Sequence, residues 1–280
     1  MTGLPEDLDE QIRRALAEDL GEGGDITSKA VVPAGAKCRA TAFARTDGVM
    51  AGLPVFARAF ELIDPSIAIE LSVEDGMGVD PDVPLAVVAG SARSVLAAER
   101  VALNFLQHLS GIATLTRSYV EACEGTRSSV LCTRKTLPGL RSLERYAVVQ
   151  GGGVLHRAGL YDAVLIKDNH LRLAGSLTEA VSLARDRTPA GTKIEVEVDT
   201  LDQYQEALAA EPDQILLDNM PLADVKRAVA LASGRDVALE VSGGVSLESI
   251  GGIAAAGELL ISVGRITHSA PALDISLEFD

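Results

Sequence analysis

The sequence predicts an α/β protein: an incomplete, open α/β barrel of about six strands, preceded by an α+β N-terminal domain. Three observations carry this reading. From residue 128 onward, short runs rich in Val, Ile and Leu alternate with helical stretches, the pattern of repeated βα units around a parallel sheet. Each run gives way to polar residues or glycine, as at the C-terminal rim of a barrel. Before residue 128 the strands are short and punctuated by turns, without that alternation. With 280 residues, 47% hydrophobic and 23% charged, the chain is long and apolar enough for a large core, which excludes disorder, collagen and coiled coil as the main class.

Residues 6–20 carry Leu8, Ile12, Ala15, Leu16 and Leu20, the stripe of an amphipathic helix. Lys37 to Arg45 alternates as a strand does, Asp47-Gly48 and Asp75-Gly76 mark turns, and Val83 to Val88 is an apolar run ending at Gly90. Two helices are expected next, near 92–107 and 111–124, separated by Ser110-Gly111. The strand runs of the barrel are Val130–Cys132, Ala163–Ile166, Ile194–Val198, Ile215–Leu217, Val237–Val241 and Leu259–Val263. Helices near 173–186, 202–210, 221–232 and 246–256 separate the later ones. A complete barrel would have about eight strands, so this one is expected to be open.

Composition narrows the function. The formal charge of −15, from 25 Lys plus Arg against 40 Asp plus Glu, argues against nucleic-acid binding, which needs a basic face. Cys38, Cys123 and Cys132 are too few and scattered for a disulfide framework or a thiolate zinc site, so a reducing, cytoplasmic compartment is expected. The acidic opening MTGLPEDLDEQ has no apolar core of a signal peptide, and the apolar stretch Val95 to Leu109 is broken by Glu99 and Arg100.

The polar residues at the strand ends are the candidates for chemistry. Thr133-Arg134-Lys135 follow the first run, Lys167-Asp168-Asn169-His170 the second, and Glu195, Glu197 and Asp199 alternate along the third. Asp218-Asn219 end the fourth; Glu240 and Ser242-Gly243-Gly244 belong to the fifth; Gly264 follows the sixth. Between residues 134 and 172 seven Lys and Arg face three acids, a local +4 in an acidic molecule, with His156 and His170 in addition. A solvated basic face would give the same count. These cations, however, flank strand ends and glycines, which favours a pocket for a small polyanion. The glycines after the last two runs suit a phosphate held by backbone N–H groups, where a lone cluster would mean only a tight turn. Glu197 and Asp218 could hold a hydrated magnesium ion, bind sugar hydroxyls, stabilise a developing positive charge, or form a salt bridge to Lys167.

Several ordered motifs together resemble the quinolinate phosphoribosyltransferase family. They are GDITS at 24–28, AERVALN at 98–104, LSGIAT at 109–114, TRKTLPGLR at 133–141, GGGVLHRAGL at 151–160 and LIKDNH at 165–170. Residues 195–199, 216–219, 242–244 and 267–269 complete the set. The resemblance implies an N-terminal domain over 1–108, joined by the tail 268–280, and a catalytic open barrel over 109–267. It also implies a homodimer or larger assembly with shared sites, in which Arg100 reaches the partner's substrate. The implied reaction joins quinolinate to phosphoribosyl pyrophosphate, with Mg2+ and no organic cofactor, giving nicotinate mononucleotide, pyrophosphate and CO2.

By that resemblance Lys167, Glu197 and Asp218 are catalytic, the two acids serving as ribose and magnesium partners. Arg100, Thr133, Arg134, Lys135, His156, Arg157 and Lys167 bind quinolinate and pyrophosphate, while Ser242, Gly243, Gly244 and Gly264 take the 5′-phosphate. The chain departs from the family pattern at Cys132, where Asp is usual, at Leu155, where Asn is common, at Val148-Val149-Gln150, which lacks a basic residue, and at Arg265. Competing readings are a paralogue acting on another pyridine or aromatic acid, a Schiff-base aldolase using Lys167, and a non-catalytic anion binder.

Overall fold

In chain order the computed structural model, which describes residues 3–280, begins with helices α1 (Leu8–Leu20) and α2 (Ile26–Val31) and strands β1 (Lys37–Ala44) and β2 (Gly48–Val49). Helix α3 (Leu53–Ile63), strands β3 (Ala68–Leu71), β4 (Gly78–Val79) and β5 (Pro84–Ser91), and the long helix α4 (Ala92–Glu121) follow. Next come β6 (Ser129–Leu131), α5 (Arg141–Gln150), β7 (Val164–Ile166), α6 (Asp168–Ala174), α7 (Leu177–Arg187), β8 (Ile194–Val198) and α8 (Leu201–Ala210). The chain ends with β9 (Gln214–Asp218), α9 (Leu222–Ala232), β10 (Ala238–Ser242), α10 (Leu247–Ala254), β11 (Leu260–Ser262), α11 (Arg265–His268) and β12 (Ile275–Phe279). No helix among the described residues is long and apolar enough to cross a membrane.

Two units divide these elements. One holds residues up to Arg117, Thr136–Gly152 and Ile266–Asp280; the other holds Ser118–Lys135 and Gly153–Arg265. Residues 136–152 thus pack with the N-terminal part, although the sequence reading set them within 109–267. The reason lies in buried polar anchors on α5. The Tyr146 hydroxyl donates to Asp75 (2.6 Å), and the fully buried Glu144 carboxylate meets His108 Nε2 (2.9 Å) and the backbone N–H of Leu137. Removing such partners would strand a buried charge, so α5 is fixed where they are.

The first unit is built on an antiparallel sheet of order β12-β1-β5-β3. Ala40, Ala42 and Ala44 of β1 are all buried, the period of two expected for a strand with one face on a core. Helix α3 buries Leu53, Val55, Phe56, Ala59 and Phe60. A proline in its first turn sets φ for a helix start, and the Asp75 carboxylate accepts from the N–H groups of Gly52 (2.8 Å) and Leu53 (3.0 Å).

The two helices expected near 92–107 and 111–124 are one helix, α4, which runs through Ser110-Gly111 without a break. Here the dipeptide serves tertiary contact rather than a turn. The buried Ser110 hydroxyl accepts from the N–H of Ala51 (3.1 Å) and lies 3.2 Å from the Ala51 carbonyl oxygen, to which it donates. A side chain on Gly111 would run into the backbone of Pro271.

The second unit is a parallel six-stranded sheet of order β6-β11-β10-β9-β8-β7, with helices between successive strands. Its edge strands are β6 and β7, so the barrel does not close, consistent with the open α/β barrel the sequence predicts. The strands read as buried runs because helices cover a parallel sheet; Ile194, Val196, Val198, Ile215, Leu217 and Ile261 are all nearly inaccessible. Side-chain caps start three of the covering helices. Ser176 accepts from Glu179 N–H on α7, Thr200 from Gln203 N–H on α8, and Ser246 from Ser249 N–H on α10.

Candidate active site

The parallel strands bring their C-terminal ends to one rim, and the candidate residues of the second unit gather there. Thr133, Arg134 and Lys135 follow β6, Lys167 follows β7, Glu197 lies on β8, Asp218 ends β9, and Ser242 ends β10 before Gly243-Gly244. With His156 and Arg157 they line a single cavity of about 560 Å³. Leu165, Leu216, Asn219, Glu240 and Ser262 complete its wall.

Charge in the cavity is arranged in pairs. The Lys167 ammonium is ion-paired with the Glu197 carboxylate, the salt bridge that the sequence reading held as one alternative for this acid. Lys167 is itself well held. Its N–H donates to His170 Nδ1 (2.9 Å) and its carbonyl accepts the N–H groups of His170 (2.8 Å) and Leu171 (3.0 Å) at the start of α6. A Schiff-base lysine needs an apolar pocket or a neighbouring cation; the carboxylate here is the opposite surrounding.

Arg157 is pulled below its ordinary pKa, first by burial and then by the nearby Arg134 guanidinium. Two guanidiniums close enough to repel define a place where an anion is stabilised. Asp218 accepts from the Asn219 side-chain amide (2.8 Å). Gly243 and Gly244 have φ of +94° and +61°, so the turn after β10 uses backbone that favours glycine.

Beneath His156 lies a network whose acids, Glu195 and Glu240, are strand-end candidates in the sequence without a role, and whose amide, Gln214, is not among the candidates. Nε2 of His156 stands 3.1 Å from Glu195 and 3.2 Å from Glu240, and the Gln214 amide donates to both carboxylates (2.8 and 2.6 Å). Register explains the meeting: Glu195 on β8 pairs with Gln214 on β9, and Gln214 pairs with Ala238, two residues before Glu240 on β10. The signal was available, since a Glu within the apolar runs IEVEV and ALEVS needs a partner if buried. Burial lowers the His156 pKa, but its hydrogen bonds to Glu195 and Glu240 outweigh it and raise the pKa to about 9. Glu240 is pushed up, chiefly by burial. Donor atoms of the three lie within 4.8 Å of one another, yet the carboxylates already accept from Gln214 and the imidazole.

Asp168, Asn169, His170, Glu195 and Asp199, also candidates by strand-end position, are not among the residues lining the strand-end cavity, and neither are two of the residues to which the resemblance gives roles. Arg100 is exposed on α4, in the first unit, and Gly264 follows β11. Of the departures from the family pattern, Leu155 lines a neighbouring cavity that shares His156 and Arg157 with the strand-end cavity, and Cys132, Val149 and Arg265 are not among the residues lining the strand-end cavity.

Comparison with known proteins gives this arrangement its family. The description "Quinolinate phosphoribosyl transferase, C-terminal domain" matches residues 112–278, and "Quinolinate phosphoribosyl transferase, N-terminal domain" matches residues 25–110. The chain belongs to the quinolinate phosphoribosyl transferase family. It is 45% identical over 274 residues to the nicotinate-nucleotide pyrophosphorylase (carboxylating) of Mycobacterium leprae, covering 95% of each chain. A probable enzyme of the same name from Bacillus subtilis is 41% identical over 261 residues, 93% of this chain and 89% of that one. Among solved structures, the nicotinate-nucleotide pyrophosphorylase of Francisella tularensis superposes with a TM-score of 0.95 at 38% identity, covering 100% of this chain and 98% of that one. In this family setting the cations, acids and glycine turn of the cavity become candidates for one two-substrate reaction.

Proposed function

We propose that the chain transfers the phosphoribosyl group of phosphoribosyl pyrophosphate to the ring nitrogen of quinolinate. The bond from ribose C1 to the pyrophosphate oxygen breaks, pyrophosphate leaves with the electron pair, and C1 bonds to the nitrogen. The ring nitrogen, made cationic, then accepts electron density as the bond between C2 and its carboxylate breaks. CO2 departs, C2 takes a proton, and nicotinate mononucleotide remains. The observation that carries this reading is the cavity itself, in which the paired guanidiniums, Lys135, the Lys167–Glu197 pair, Asp218 and the glycine turn share one wall. Membership of the family, at 45% identity over nearly the whole chain, supports it.

Each group has a physical task. Arg134, Lys135 and Arg157, with Thr133, would hold the two carboxylates of quinolinate and the departing pyrophosphate. Lys167 would neutralise negative charge at the reacting centre while Glu197 and Asp218 stabilise the positive charge that develops on the ribose. The 5′-phosphate would sit on Ser242, Gly243 and Gly244, with Gly264 following the next strand. Glu197 and Asp218 offer hard oxygen donors of the kind Mg2+ takes alongside substrate phosphates, so they fit that ion. When bound there, it would offset charge on the pyrophosphate. Holding both reactants together supplies much of the acceleration.

The test is product formation from quinolinate, phosphoribosyl pyrophosphate and Mg2+, followed by mass. Nicotinate mononucleotide that requires both substrates supports the reading. Turnover of nicotinate or another ring acid instead would support the paralogue. Arg134→Ala is expected to cost at least about 2 kcal/mol in kcat/KM, the worth of a charged hydrogen-bonded fork; an unchanged kcat/KM would remove Arg134 from the acid-binding set.

We further propose a homodimer or larger assembly in which Arg100 serves the partner's cavity, since Arg100 is exposed on the first unit and is not among the residues lining the strand-end cavity. Mixing inactive Arg100→Ala and Lys167→Ala proteins should then restore about a quarter of wild-type activity, because half the dimers are hybrids with one intact site each. Absence of recovery after verified subunit exchange would place Arg100 in its own chain's site or outside catalysis.

A further inference from the structure

We propose that Asn219 is a positioning residue that ties the acid Asp218 to the phosphate-binding turn Ser242-Gly243-Gly244, so that the ribose end and the 5′-phosphate end of the sugar site move as one. The inference rests on the reading of the cavity as a phosphoribosyl site. Its observations concern the chain alone, and four of them converge on one side chain.

Asn219 stands immediately after β9 with φ of +53°, in the left-handed region that asparagine tolerates better than most residues because its short amide bonds locally. Its amide Nδ2 donates to the Asp218 carboxylate (2.8 Å). Its backbone N–H donates to the carbonyl of Ser242 (2.8 Å), reaching from the end of β9 to the end of β10. Finally, its carboxamide lies so close to the α-carbon of Gly243 that any side chain at Gly243 would collide with it. Gly243 is therefore required twice, by its φ of +94° and by the amide packed on it.

These contacts give a division of labour. The backbone bond from Asn219 to Ser242 survives any side-chain change that tolerates the same φ. The amide does what the backbone cannot: it holds the Asp218 carboxylate in one orientation and presses on Gly243 from the same group. An aspartate freed from this donor has more rotamers, and a glycine turn freed from its neighbour has more conformations. Both losses fall on the sugar phosphate and not on the cations that receive quinolinate, which follow β6 or lie in the 156–157 segment.

The experiment is Asn219→Gly, which accepts the positive φ and deletes the amide at an exposed position. The full chain is assayed with phosphoribosyl pyrophosphate and quinolinate varied in turn, and its melting is recorded. The expected result is a rise of about tenfold or more in KM for phosphoribosyl pyrophosphate, with KM for quinolinate within about twofold and melting close to wild type. Unchanged KM for phosphoribosyl pyrophosphate would overturn the proposal. So would an equal loss for both substrates accompanied by a lower melting temperature, since that marks a general structural role. If the wild type makes no product from quinolinate, the reading of the acceptor fails separately. Equilibrium binding of phosphoribosyl pyrophosphate to wild type and Asn219→Gly then decides the matter: weaker binding by the variant upholds the positioning role, and equal binding overturns it.

Discussion

Replacing Lys167 with alanine should lower kcat/KM by about two to three orders of magnitude while the protein melts as the wild type does, the scale seen when a preorganised electrostatic group is removed. The fold should survive because the structural duties at this position are carried by the backbone. The N–H to His170 and the carbonyl that starts α6 remain in an alanine variant. What disappears is the ammonium, and with it the partner of Glu197, whose side chain is only 16% exposed. An unpaired carboxylate then faces the entering pyrophosphate, so the variant loses an attraction and gains a repulsion. Lys167→Arg separates these effects, since it keeps the charge but changes its shape and reach. Partial activity in Lys167→Arg and almost none in Lys167→Ala would show that charge is the larger part. A normal rate in Lys167→Ala, from protein that melts normally, would remove Lys167 from the chemistry and with it the proposed placement of the site.

The barrel was legible in the sequence to within a residue or two because a buried parallel strand must be a continuous apolar run. The expected Ile194–Val198 and observed β8 coincide, and the runs near 215, 237 and 259 overlap their strands with shifts of one residue at the ends. Legibility failed where tertiary contact gives a residue its meaning. Ser110-Gly111 has the local character of a turn, yet a hydroxyl meeting Ala51 and a bare α-carbon facing Pro271 keep it inside α4. The short helices α2, α3 and α5 were not foreseen, though two left marks: Asp25 caps α2 by accepting from Ser28 N–H, and Pro54 sits in the first turn of α3. For the candidate site, strand-end position identified the residues lining the cavity, because the C-terminal rim is common to all six strands. Position along one strand could not reveal that Glu195, Gln214 and Glu240 meet beneath His156. That requires the register of three neighbouring strands.

His156→Ala should destabilise the protein by about 3–5 kcal/mol at pH 6.5, the cost of removing one partner from a buried ionic cluster. Glu195 and Glu240 are 7% and 1% exposed and would keep only the Gln214 amide as a shared donor. The pH dependence follows from the imidazole. Its pKa in the folded protein is raised from the ordinary imidazole value of 6.5 to about 9, so its contribution is fully present below pH 6.5 and is lost as pH rises through about 9. The gap between wild type and His156→Ala, measured by urea unfolding, should therefore be wide at pH 6.5 and distinctly narrower at pH 9.5. A gap independent of pH would mean that the ring holds the carboxylates as a neutral donor, protonated only at Nε2. The Arg157 N–H that meets Nδ1 at 2.7 Å would then set the tautomer. Either result bears on function, because that same contact links the ring to the backbone of Arg157. A His156 anchored by two buried acids fixes where Arg157 enters the cavity, and its loss should weaken acid binding through Arg157. Activity measured at a temperature where His156→Ala remains folded reads this directly: a higher KM for quinolinate with stability accounted for would show the ring acting through its neighbour, and an unchanged KM would confine it to the fold.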